Sequence, residues 1–368
     1  MAAFAVSPVT DIARMWADAR PGQSPRLLLN TDSHNIEVAG LQIWDGGGTA
    51  RQVYQSLVPN ESTPYDLRTE ISSVGTQGDR VFIALHGSPG DRPTTGGSWI
   101  ESAMNPDSTT DWTVETTVSP SWDTLIRGFA FFDSGNIAAY GTNGYYNPCG
   151  STGVAPWVAL RGANGTWTSG NLPVTFCGEI VLAGVVASDG RSLDLVTQSG
   201  VLEGLPGTQE WHRLLSFHTG GGAAFGEARK NMAILEMADG SLARWSPGDA
   251  DAKTIAPRAP EAGAIPGASQ AGWFNGRGGW DTNGTQAAWV TSSYVKRKHC
   301  HPPLMIFPIW DGGPYQDPCT DLVSVVWRWD GQTWKRAASE YGYLSPAVAI
   351  TDEGRIYVPE TGQVLTTQ

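Results

Sequence analysis

Val325-Val326-Trp327-Arg328-Trp329-Asp330-Gly331-Gln332-Thr333-Trp334-Lys335-Arg336 is the stretch on which the fold turns. Val325, Trp327 and Trp329 alternate with Val326 and Arg328, the period of two that puts one set on each face of a strand. Asp330-Gly331 supplies the positive-φ residue that a tight hairpin needs, and Thr333-Trp334 starts the returning strand. The same unit recurs in Trp157 to Arg161 followed by Asn164-Gly165-Thr166-Trp167, and in Ile43-Trp44-Asp45-Gly46 followed by Arg51 to Tyr54. A chain with several such hairpins is built from repeats.

Working outward, a second set of turns appears at Thr31 to Ile36, Thr76 to Asp79, Phe132 to Ile137, Ser188 to Arg191, Ala238 to Ser241, Thr282 to Thr285 and Asp352 to Arg355. Their centres, at 34, 78, 135, 190, 240, 284 and 354, recur with a period that signals a propeller or a solenoid. In the third unit the strands read Phe129 to Phe132, Asn136 to Tyr140, Trp157 to Leu160 and Thr166 to Ser169. Four antiparallel strands per unit predict an all-β chain folded as a β-propeller, a single domain over residues 1–368. Seven blades are expected, with six or eight as the other counts. The last unit supplies only three strands, Ala347 to Ile350, Arg355 to Val358 and Gln363 to Thr367, so Ala2 to Val6 is expected to complete it and close the ring. Ile12 to Ala19 reads as two turns of helix beneath one face.

Composition agrees. With 45 Gly, 24 Pro and 16 Trp among 368 residues and only 16% charged, the chain is suited to short strands and tight turns. A net charge of −12 argues against nucleic acid as a partner. No apolar run approaches the roughly 20 residues that span a bilayer, so no membrane insertion is expected. The first residues lack the basic and apolar regions of a signal peptide, and the N-terminus is expected to be tied into the fold.

In a propeller, turns between the first and second strands and between the third and fourth lie on one face, called lower here. Links between the second and third strands, and between blades, lie on the other, upper face. The long segments His86 to Ser98, Gly141 to Pro156 and Val295 to Leu322 are predicted to be second-to-third links, so the functional surface is expected on the upper face. All four cysteines fall there. Cys149 and Cys177 are expected to meet, and Cys300 with Cys319 is expected to close the 295–322 loop insertion, stabilising it by about 3 kcal/mol. His299-Cys300-His301 lacks zinc spacing, and neither a metal nor a cofactor is expected.

Aromatic faces stack on sugar rings while amide and charged groups orient hydroxyls. The candidate ligand-binding residues are therefore Tyr145, Tyr146, Trp280, Asp281, the basic run Lys296, Arg297, Lys298 and His299, and Trp310, Asp311 and Tyr315. Glu70, Arg127, Glu179, Glu227, Arg229 and Arg277 stand at or just before the starts of the inner strands, where paired carboxylates would suit a glycoside hydrolase or a polysaccharide lyase. No zinc-protease, P-loop or nucleophile-elbow motif is present.

The Trp-Asp-Gly-x-x-Trp hairpin resembles repeats of the wider β-propeller class over most of the chain. It departs from the sialidase Asp box because Asp330-Gly331-Gln332-Thr333-Trp334 lacks the residue between Asp and Gly. The expectation is a non-catalytic propeller of the phage tail or capsid appendage type, extracellular or on a virion. It would recognise a surface glycan or dock a neighbouring structural protein of a larger assembly. A carbohydrate-active enzyme using the central carboxylates is the alternative.

Overall fold

The structure is a computed structural model that describes residues 2–5, 11–18, 26–32, 39–46, 49–55, 69–87, 97–119, 124–144, 149–150, 153–218, 221–260, 279–296, 320–341, 347–360 and 363–367. These residues form an all-β β-propeller of four-stranded antiparallel sheets. Six sheets each use four consecutive strands, within 11–55, 69–119, 124–171, 181–216, 223–256 and 280–341; we number them sheets 1 to 6. A seventh is composite. It orders Ala349–Ile350, Ile356–Glu360 and Gln363–Thr367 outward, with Ala2–Ala5 on its outer edge in the register Phe4 opposite Val364.

Each sheet is apolar on both faces because it is sandwiched between two others. In Arg80–Gly87 of sheet 2, Val81, Ile83 and Leu85 pack with Leu28, Leu41 and Ile43 of sheet 1. The alternate residues Phe82 and Ala84 pack with Ile126, Phe129 and Ile137 of sheet 3. The stretch Val325 to Arg336 behaves likewise: Val325, Trp327 and Trp329 face the seam with sheet 5, and Val326 faces sheet 7. Sheet 7 in turn packs Ala349, Tyr357 and Val364 against Ile12, Met15, Leu27 and Leu29 of sheet 1.

The turns owe their shape to aspartate and glycine. Asp330 Oδ1 accepts backbone N–H bonds from Gln332 and Thr333, both at 2.9 Å, and Gly331 takes φ 100°. Such local carboxylate bonds stand in for a backbone turn. The tryptophan that follows keys one sheet to the previous one. Trp334 Nε1–H donates to Pro257 O at 2.9 Å, and Trp112, just before the fourth strand of sheet 2, donates to Val53 O of sheet 1 at 2.8 Å.

Three expectations are corrected. Ile12 to Ala19 is not helical; Asp11–Asp18 is the inner strand of sheet 1. The turn-like segment Ala238 to Ser241 is a second-to-third link, so it belongs to the upper face, whereas sheet 5 turns between its first two strands at Lys230, φ 53°; of Thr31 to Ile36 only Thr31 and Asp32, the end of the second strand of sheet 1, are described. The inner strand of sheet 3 starts at Thr124, five residues before the predicted Phe129. Residues 297–319, with Cys300 and Cys319, lie outside the described residues.

Candidate functional site on the upper face and the axis

On the upper face Cys149 and Cys177 are joined, with Cα atoms 5.5 Å apart. Cys149 lies in the long link of sheet 3 and Cys177 in the link to sheet 4. Pro173 starts a short 3-10 turn, Val174–Phe176, whose Phe176 is buried in the seam between sheets 3 and 4. Backbone bonds from Leu172 N to Pro156 O (2.9 Å) and from Gly178 N to Val154 O (2.8 Å) bring the two links side by side. The bond thus fastens the elaborated loop of sheet 3 to a link already anchored in a seam.

Glu179 follows two residues later. Its carboxylate accepts Thr197 Oγ1–H at 2.7 Å and Ser199 Oγ–H at 2.7 and 2.8 Å, and it pairs with Arg213. Burial pushes this carboxyl up, but those bonds outweigh it and hold the group below the usual glutamate value. Glu70 is exposed at the start of Thr69–Gln77, opposite His86. Arg127 is exposed because it is the extra residue of a β-bulge between Ile126 and Gly128. Comparable bulges stand near the starts of the inner strands of sheets 1, 2, 4 and 5, where they re-aim side chains at the rim.

Glu227 and Arg229 are not at a strand start. They lie toward the lower end of Ala223–Arg229, two residues apart and so on one side of the strand. There they meet Asp281 of sheet 6, which is buried: Arg229 Nη1 is 3.0 and 3.2 Å from its two oxygens, and the N–H groups of Thr282 (2.7 Å) and Ile350 (2.6 Å) donate to it. Burial, then the Asp281 charge, pushes the Glu227 carboxyl up to about 7 against the opposing pull of Arg14 and Arg229. Asp281 is therefore an internal anchor rather than a surface group. Its neighbour Trp280 is half-buried in the seam between sheets 5 and 6, and donates Nε1–H to Glu236 at 2.7 Å.

Tyr145, Tyr146, Arg277, Arg297, Lys298, His299, Trp310, Asp311 and Tyr315 lie outside the described residues, and of Lys296 only the backbone, opposite Thr320, is described. Sequence reasoning missed Ser199 and Arg213 around Glu179, and Asp352 and Lys230 near Arg229. Only the period-two spacing of Glu227 and Arg229 signalled a shared face.

No protein-family model matches the chain, and no curated protein matches it. Among solved structures it is similar to YCF48 bound to D1 peptide (13% identity, covering 100% of this chain and 94% of that one, TM-score 0.46). It is also similar to the Cps50 (Swd1) β-propeller domain of Myceliophteria thermophila (10% identity, 97% and 99%, TM-score 0.45). A chain of the mitotic checkpoint complex is a third (8% identity, 99% and 93%, TM-score 0.47). These likenesses concern architecture alone.

Proposed function

We propose that the protein is a seven-bladed propeller, closed by pairing its two chain ends, that recognises a surface glycan on its upper face without cleaving it. It serves on an extracellular or virion assembly, as a phage tail or capsid appendage does. The observation that carries this reading is the Cys149–Cys177 bond, which fastens a residue three and four positions after Tyr146 and Tyr145 in sequence to the link into sheet 4. Pre-organising a binding loop reduces the ordering cost of association, and a disulfide suits an oxidising setting.

The carboxylates support a non-catalytic role. Glu179 precedes its strand on the upper side, whereas Glu227 is four residues into the inner strand of the next sheet, ~13 Å deeper at ~3.3 Å per residue. That exceeds the roughly 5–9.5 Å at which two carboxyls share one glycosidic bond.

The test is a glycan array with the oxidised protein and with the Cys149→Ser/Cys177→Ser variant. Closing a loop of sequence separation 28 contributes about 3.6 kcal/mol in the chain-entropy model, so the variant should unfold at lower urea yet retain its β-sheet spectrum. Glycan retention that falls in the variant supports the reading. Retention of a protein partner with no glycan binding would move the function to docking. Release of reducing ends or unsaturated products, lost in Glu179→Gln or Glu227→Gln, would make the protein an enzyme.

A further inference from the structure

Arg229 ties three sheets together at the axis. From the last position of the inner strand of sheet 5, Nη1 reaches Asp281 and Thr282 O (2.8 Å) of sheet 6, and Nη2 reaches Ile350 O (2.5 Å) of sheet 7. Asp352 of the same sheet lies 3.5 Å from Nη2 and also pairs with Lys230. Ile350 N–H returns to Asp281 Oδ2, so Asp281 is bonded to the sheets on both sides of it. The partner strand on sheet 7 is only Ala349–Ile350, pairing two residues with Tyr357 and Ile356. So short an inner strand has little ladder of its own to hold it in place, and its sheet also carries both chain ends.

Glu227, two residues before Arg229 on the same side of the inner strand of sheet 5, adds a second carboxyl that the Asp281 charge opposes and Arg229 favours. Among the described residues, the charged groups that act on the pair are Arg229 on sheet 5 and Arg14 on sheet 1, while Asp352 on sheet 7 and Lys230 pair with each other beside Arg229. The Tyr140 phenol on sheet 3 is within range and is kept neutral by burial.

We propose that Glu227, Asp281 and Arg229 form a proton-controlled latch: with Glu227 neutral, Asp281 and Arg229 hold sheet 7 to the ring, and its ionisation loosens that sheet at the axis. When the proton leaves, two carboxylates compete for Arg229, and the N–H and C=O of Ile350 lose well-placed partners. The raised Glu227 value puts the change near neutral pH.

Hydrogen–deuterium exchange of the 347–360 peptide, corrected for intrinsic rates, reads this directly at pH 5.5 and 8.5. Protection in the wild type should fall about tenfold at the higher pH, the equivalent of one pK unit of coupling, while the 80–104 peptide of sheet 2 holds steady. Glu227→Gln, which is neutral throughout, should keep the low-pH level at both. Equal protection at both pH values, an equal fall in both peptides, or an unchanged pH response in a folded Glu227→Gln variant would overturn the latch. If that variant does not fold, the wild-type comparison of the two peptides decides alone.

Discussion

Asp281→Ala is expected to lower the free energy of unfolding by about 3–5 kcal/mol, the usual cost of removing one partner from a buried ion pair. The Arg229 and Asp281 side chains expose only 11% and 8% of their surface. The alanine variant leaves the guanidinium only the more distant Asp352, 3.5 Å away, and it deprives the backbone N–H groups of Thr282 and Ile350 of their acceptor. Asp281→Asn keeps an acceptor of the same shape and should cost less. Urea denaturation measures both, and an alanine variant within about 1 kcal/mol of wild type would mean that the three-sheet network contributes little.

Trp245→Ala should destabilise by a similar amount, about 3–5 kcal/mol, for a different reason. Trp245 is fully buried in the seam between sheets 4 and 5, among Leu235, Met237 and Val196, and donates Nε1–H to Asp249 O at 3.1 Å. Alanine removes the ring, leaves a cavity that stiff strands fill poorly, and takes the donor from the part-buried Asp249 carbonyl. Trp245→Phe keeps most of the apolar contact and should cost clearly less. Thermal and urea unfolding check the pair; equal midpoints for alanine and phenylalanine would show that the seam collapses around the site.

The hairpins were legible in the sequence because their turn chemistry is local. Asp330-Gly331 and Asn164-Gly165 adopt the turn their side chains and positive φ allow, whatever surrounds them. The repeat of apolar residues on both faces of a strand was legible too, since a sheet between two neighbours needs both. Asp11–Asp18 was misread because of its bulge between Ile12 and Arg14. The extra residue breaks the alternation, so Ile12, Met15 and Trp16 acquire the spacing of one helix face while packing against two different sheets. The same aspartate turns serve either face, so Ala238 to Ser241 gave no sign of which it occupied. At the axis, Asp281 was selected as a surface ligand group; that it bonds to residues 52 and 69 positions away is a property of the ring and not of any local pattern.

Closure is tested most directly by a cysteine pair, Phe4→Cys with Val364→Cys. These positions are opposed across antiparallel strands, at a Cα separation of about 4.5–5.5 Å that a disulfide can span. An intramolecular bond between the 4- and 364-containing peptides is expected on mild oxidation, with an unfolding midpoint above that of the reduced form. No cross-link, or one that forms only between two chains, would contradict a ring that joins its own ends.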